Sequence, residues 1–215
     1  VWATGGVGGL YPRSTNYSLL TGDACRIAAE RGIELEHMDY VQVHPTSLYT
    51  GPGRGGRAFL ISESCRGEGA VLLDRDGRRF CDELQPRDVV TAAIREQMEL
   101  EGTDHVRLSF ANVDPGVVRA HFSHIRERCL EEGYDILSEP IPVVPAQHYL
   151  MGGVRVDLDS ATSMPGLFAA GETSCNGVHG RNRLASNSLL ESLVFARRAA
   201  RAIAREVPTF DREEP

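Results

Sequence analysis

An α/β domain interrupted by an inserted α+β domain is the fold class this 215-residue sequence predicts. Three observations predict it. The chain opens with a strand-like run, "VWATGG", and a short helical pattern at 22–32. The middle changes to short β-like runs and separate helices, and the end returns to a strand-like run and a long amphipathic helix.

Residues 1–6 read as a buried strand, and "GDACRIAAERG" as a helix closed by Gly32. From about residue 38 to 149, Tyr40 to Val43, Ala58 to Ser62 and Ala70 to Leu73 are β-like, and helices are predicted near 88–100 and 115–132. After "PIPVVPAQHYLMGGVRVD", a turn at Pro165 and Gly166 leads into the strand-like "GLFAAGE". In the last helix Leu189, Leu193, Ala196, Ala200 and Ile203 recur at steps of three and four, while Arg197, Arg198, Arg201 and Arg205 take the other side. Ser188 and Glu191 read as a capping box, which starts that helix within a residue or two of Ser188. The predicted organisation is a first piece at 1–37, an inserted capping domain at 38–149, the last strand and helix of the first domain at 150–206, and a tail at 207–215.

A chain of this length with 41% hydrophobic residues can bury a real core. Its longest apolar runs fall far short of a membrane span, and its first residues lack the basic start and apolar stretch of a signal peptide. A net charge of −7 argues against nucleic acid as a partner. Five cysteines without C-x-x-C spacing read as reduced thiols of a cytoplasmic protein. His121 and His124 with nearby Cys129 lack a second ligand cluster, so they read as helix-surface histidines and no metal site is expected. The opening on a strand without an initiator Met suggests a piece of a longer protein.

"GPGRGG", Gly51 to Gly56, satisfies the dinucleotide fingerprint G-x-G-x-x-G, with Asp76 at about the right distance for a ribose contact. The fingerprint must leave a strand and open a helix, whereas this stretch leads into strand-like "RAFLIS", so it reads as a glycine loop. "GGVGG" at 5–9 fails as well, because Tyr11 stands where the last glycine belongs.

The chemistry sits elsewhere. His44 in "VHPT", Glu63, Arg66 and Glu68 in "SESCRGEG", Arg87 and Asp88 in "QPRD", and His148 in "PAQHY" each have an ordinary explanation as a loop histidine, a surface charge run, a helix start or a strand-end histidine. With Arg183 they form the inventory for holding a small dianion: guanidinium forks for carboxylates, imidazole donors, and acids to orient the arginines. "GVHGRNRLASNSLLE" adds a helix entrance whose unpaired N–H groups suit an anion or an electron-rich ring edge, beside Arg181 and Arg183. A dicarboxylate is the natural ligand class.

Six stretches in order, "VHPTSLY", "SESCRGEG", "PRDVV", "HYLMGGV", "GLFAAGE" and "HGRNRLASNSLLE", resemble the flavoprotein family of L-aspartate oxidase, succinate dehydrogenase and fumarate reductase. The resemblance covers residues 1 to about 206, and "RLASNSLLE" and the surroundings of "PRDVV" are most similar to the L-aspartate oxidases. It implies a flavin-binding α/β domain with an inserted capping domain. The residue matching Arg87 is then the proton-transfer group, with Glu63 and Asp88 orienting it. Those matching His44, His148 and Arg183 hold the substrate carboxylates. Those matching Asp23, Glu172, Ser188 and Leu189 contact FAD, Glu172 at a ribityl hydroxyl and the other two at the pyrimidine edge.

The implied reaction is hydride transfer from Cα of aspartate to non-covalent FAD. It gives iminoaspartate for quinolinate synthase and NAD biosynthesis, with oxygen or fumarate reoxidising the flavin. Aspartate, fumarate and succinate are the implied ligands; a succinate dehydrogenase or fumarate reductase flavoprotein subunit, or a non-catalytic cap and scaffold piece, are the alternatives. Because no pyrophosphate cradle is recognisable, the 215-residue chain by itself is expected to hold no FAD and to be inactive. Arg181 departs from the family, whose members generally carry alanine there.

Overall fold

The structure is a computed structural model that describes residues 1–52 and 56–206. The tail at 207–215 and the centre of the glycine loop, 53–55, lie outside the described residues. In chain order the elements are α1 (Asp23–Glu30), β1 (Leu35–Glu36), β2 (Val41–Leu48), α2 (Glu63–Gly67), β3 (Val71–Leu73), α3 (Arg87–Glu101), β4 (Val106–Ser109), α4 (Pro115–His121), α5 (Ser123–Glu131), β5 (Ile141–Leu150), β6 (Gly153–Arg155), β7 (Ser174–Cys175) and α6 (Asn187–Glu206). They group into two compact units. None of the helices is long and apolar enough to cross a membrane among the described residues.

The first unit comprises Val1–Val7, Leu20–Val41 and the chain from Tyr149 onward. Its sheet has the order β1-β6-β7, with β1 antiparallel and β7 parallel to β6. Ala28 of α1 packs with Ile33, Val154 and Ala169 to form its core. Gly153 is required there: its φ is +141° and a Cβ would press on the Thr173 carbonyl.

Residues 1–6 do not form the buried strand that was expected. Trp2 makes a single parallel bridge to Ala169, and then Gly5, at φ 76°, turns the chain away. "GLFAAGE" is likewise reduced to single bridges at Phe168 and Ala169, ended by Gly171 at φ 75° and a short 3-10 turn.

Helix α6 starts at Asn187, where it was expected, but neither its cap nor its packed face is the one periodicity suggested. Its buried side chains are Glu191, Phe195 and Ala199, whereas Leu189, Leu190, Leu193 and Val194 are exposed. Ser188 lies inside the helix, and Glu191 turns into the protein instead of closing a capping box. The sequence carries two apolar stripes on this helix, and packing selects one of them.

The second unit comprises Gly8–Leu19 and Gln42–His148. Gly8–Leu19, read above with the first piece, belongs here because residues 13–16 run along β5: the Thr15 N–H donates to the Gln147 carbonyl at 2.9 Å and the Gln147 N–H to that of Arg13 at 3.0 Å. The sheet has the order β2-β5-β4-β3, with β3 and β5 antiparallel to β4. Its core gathers Ile61, Leu72, Ile94, Leu108, Val118, Ile136 and Ile141.

Strand β2 runs through Pro45 to Leu48, beyond the expected Val43, and β5 persists for ten residues across Pro142 and Pro145. Ala58 to Ser62 makes one bridge, Leu60 to Ser47, rather than a strand. The helix expected at 115–132 breaks at buried Phe122 into α4, capped by the Asp114 carboxylate, and α5. His121 and His124 are exposed, while Cys129 is buried in the core. All five cysteines are free thiols.

Candidate active site

In the second unit, alternation along β2 puts Gln42, His44 and Thr46 on one face, and all three are buried. A polar buried face on a strand needs partners. Gln42 accepts a hydrogen bond from Arg87 Nη1 at 3.0 Å, and Arg87 Nε donates to Glu63 Oε2 at 2.6 Å. Arg87 is the first residue of α3 and is buried at 8% exposure; Pro86 caps that helix without a side-chain bond.

Glu63 opens α2, where Ser62 supplies the cap, and on the same helix Arg66 places Nη2 3.9 Å from Glu63 Oε2. One carboxylate thus stands between two buried guanidiniums. Arg66 is anchored by donating to the Glu83 carbonyl, while its Nε and Nη2 have no hydrogen-bond partner among the described residues. Burial pulls the Arg66 guanidinium below its ordinary value; Glu63 opposes this and Arg87 adds to it. Asp88 sits exposed in the first turn of α3, where a carboxylate suits the helix dipole.

His44 and His148 meet edge to face, with ring centroids 5.3 Å apart. Burial holds His44 well below the usual imidazole range, reinforced by Arg87, His148 and Arg66, so it is neutral near pH 7. His148 Nδ1 lies 2.7 Å from the Thr15 hydroxyl, and its carbonyl accepts from Asn16 Nδ2 at 3.0 Å. Gln42 and Thr15 were not singled out from sequence. The signal for Gln42 was its position two residues before His44 on a strand.

The first unit gathers Glu172, Arg183 and Glu191. The Arg183 guanidinium lies over the Tyr149 ring, 4.5 Å from its centroid, and is buried. Glu172 Oε1 accepts from the Leu150 N–H at 2.9 Å and approaches Gly6 so closely that a Cβ at that glycine would clash with it. Burial pushes the Glu172 carboxyl up to about 7, opposed by the Leu150 hydrogen bond and by Arg183. Asp23 is exposed at the start of α1, and Ser188 and Leu189 form the first turn of α6, Leu189 being 69% exposed. Arg181 does not join Arg183: it is exposed, 4.8 Å above the Tyr40 ring and 3.7 Å from Asp39 Oδ2.

The raised Glu172 carboxyl has a measurable consequence for this chain. Its folded pKa of about 7 exceeds the ordinary 4.5, so between those values the unfolded state ionises while the folded state keeps its proton. Stability therefore falls as pH rises through this window, by a total on the order of 3 kcal/mol. Glu172→Gln, which does not titrate, loses correspondingly less when urea unfolding at about pH 4.5 is compared with about pH 8. Parallel pH dependence of the two proteins would show that Glu172 ionises normally.

The family model described as FAD binding domain matches residues 1–189. The chain is 52% identical over 200 residues to the L-aspartate oxidase of Clostridium perfringens, covering 93% of this chain and 45% of that relative. It is 47% identical to the L-aspartate oxidase of Clostridium acetobutylicum, covering 100% of this chain and 49% of the relative. Among solved structures, the E. coli quinol fumarate reductase FrdA E245Q mutant superposes with a TM-score of 0.85 at 35% identity, over 99% of this chain and 40% of that one. The chain belongs to the FAD-binding flavoprotein family, with its mixed α/β fold and FAD as its cofactor. Within that family it resembles the L-aspartate oxidases, and it spans about half the length of these curated relatives.

Proposed function

We propose that this chain is a segment of an L-aspartate oxidase, which converts L-aspartate to iminoaspartate for quinolinate synthase and NAD biosynthesis in the cytoplasm. The observation that carries this reading is the chain of contacts Arg66–Glu63–Arg87–Gln42, in which a half-exposed carboxylate joins two buried guanidiniums and a buried amide, in the same unit as the His44–His148 pair. Aspartate is preferred over succinate as the substrate because the identity to the L-aspartate oxidases, 52% and 47%, exceeds the 35% to the fumarate reductase chain.

The first unit fits the flavin end of FAD. Glu172, close to half-protonated at pH 7, can both donate to and accept from a ribityl hydroxyl, and the missing side chain of Gly6 gives its carboxyl the room it occupies. Asp23, Ser188 and Leu189 would supply the remaining contacts, Ser188 and Leu189 through the positive end of α6. When bound, FAD supplies the two-electron acceptor for the hydride from Cα.

The protein's own groups bind and move protons. His44 and His148 receive a substrate carboxylate as imidazole donors, and Arg183 grips a carboxylate with a planar fork. Making an imine from an amine removes a proton from nitrogen as the hydride leaves carbon. Arg87 gives its Nε proton to Glu63, the carboxylate held against that nitrogen, and takes the substrate's proton in its place. Arg66, its charge already disfavoured by burial, continues the path on the far side of Glu63.

Anaerobic addition of aspartate to the full-length, FAD-loaded protein should bleach the visible flavin spectrum, whereas succinate should bind without bleaching it. Bleaching by succinate and not by aspartate would make the protein a dicarboxylate dehydrogenase. No bleaching by either would defeat both readings.

A further inference from the structure

The Arg183 guanidinium lies over the ring of Tyr149, and that ring is held by further contacts. The Tyr149 hydroxyl donates to Glu191 Oε2 at 3.4 Å. The His179 ring stands edge-on to Tyr149, 5.6 Å away at 89°, and places Nε2 3.9 Å from the same carboxylate oxygen. Asn176 Nδ2 donates to the other oxygen, Glu191 Oε1. Arg183, Tyr149 and Glu191 are 5%, 7% and 4% exposed, so water contributes little to any of these contacts. An arginine side chain otherwise has many rotamers, and each one immobilised on binding costs affinity.

We propose that Tyr149 and Glu191 are positioning residues for Arg183: the ring carries the guanidinium, and the buried carboxylate locks the ring through its hydroxyl, so that the fork is oriented before substrate arrives. This inference rests on the reading of Arg183 as a carboxylate holder. A desolvated cation–π contact is among the stronger of its kind, and the face of the ring supplies it whether or not the hydroxyl is present. The hydroxyl and Glu191 set only the angle of the ring. Tyr149 and Glu191 thereby act on binding and leave the proton transfer alone.

The test uses the full-length, FAD-loaded enzyme and a double-mutant cycle. Tyr149→Leu, Tyr149→Phe and Glu191→Gln are each made in the natural and in the Arg183→Leu background. Succinate affinity is read from the flavin spectrum, together with KM and kcat for aspartate. In the natural background Tyr149→Leu should weaken succinate and raise KM about tenfold, with kcat within about threefold. Tyr149→Phe should keep binding within about threefold, because the ring face remains, and Glu191→Gln should weaken it about threefold.

In the Arg183→Leu background all three effects should vanish. Equal effects in both backgrounds would mean that these residues serve the fold generally, and would overturn the proposal. If Tyr149→Leu does not retain FAD, Glu191→Gln decides the matter in the two backgrounds by the same criterion. If Arg183→Leu alone leaves succinate affinity unchanged, the reading of Arg183 as a carboxylate holder fails. If Arg183→Leu weakens succinate but Tyr149→Leu does not, only the positioning role fails.

Discussion

Arg87→Lys in the full-length enzyme lowers kcat by at least about a hundredfold while changing KM for aspartate much less. Lysine keeps the positive charge and a similar reach, so a simple electrostatic clamp would survive the change. What is lost is the pair of directed contacts: Nε to Glu63 at 2.6 Å and Nη1 to Gln42 at 3.0 Å. A single ammonium nitrogen cannot reproduce both from two sides of a planar group. An arginine moves a proton only when its surroundings offset its strong preference for the charged form. Here a proton acceptor stands ready, the Glu63 carboxylate that Arg87 shares with Arg66, and its contact with Nε depends on the fork. Steady-state kinetics with aspartate check this. A near-normal kcat with a raised KM would instead make Arg87 a carboxylate clamp without a part in proton transfer.

Much of this site was legible in the sequence because its residues come as short motifs whose chemistry is unusual together. The resemblance implied Glu63 as a residue orienting Arg87, 24 residues away, and the structure joins the two directly. His44 and His148, separated by most of the inserted domain, also meet. The sequence hid what depends on tertiary choice. Periodicity detects helix α6 but cannot say which of its two apolar stripes is buried, and so Leu189 and Leu193 are exposed while Phe195 is not. Glu191 three residues after Ser188 matches a capping box, yet the pull of Tyr149, Asn176 and His179 draws it inward. Strand β2 continues through Pro45, past the expected Val43, and β5 runs through Pro142 and Pro145. A proline costs a strand only the hydrogen bond its missing N–H would have made. Gln42 escaped notice because a lone amide carries no signal until the strand's alternation puts it beside His44.

The Arg183→Leu enzyme should lose most of its preference for aspartate over alanine. Alanine lacks the side-chain carboxylate, so the natural enzyme separates the two substrates by whatever holds that group. Arg183 carries a buried guanidinium in the first unit, over the Tyr149 ring and four residues before the start of α6. Removing one partner of a charged hydrogen bond in such surroundings costs roughly 1.5 to 3 kcal/mol, or about one to two orders of magnitude in kcat/KM. That loss falls on aspartate if the fork grips the side-chain carboxylate, and on aspartate and alanine alike if it grips the α-carboxylate. The ratio of kcat/KM for the two amino acids therefore reports which end Arg183 holds. A collapse of the ratio by at least about tenfold assigns Arg183 to the side-chain carboxylate and the histidine pair to the other. A constant ratio with both values lowered reverses that assignment. Unchanged values for both substrates would leave Arg183 with the flavin or with the helix entrance, and dicarboxylate selection would then have to come from His44 and His148 alone.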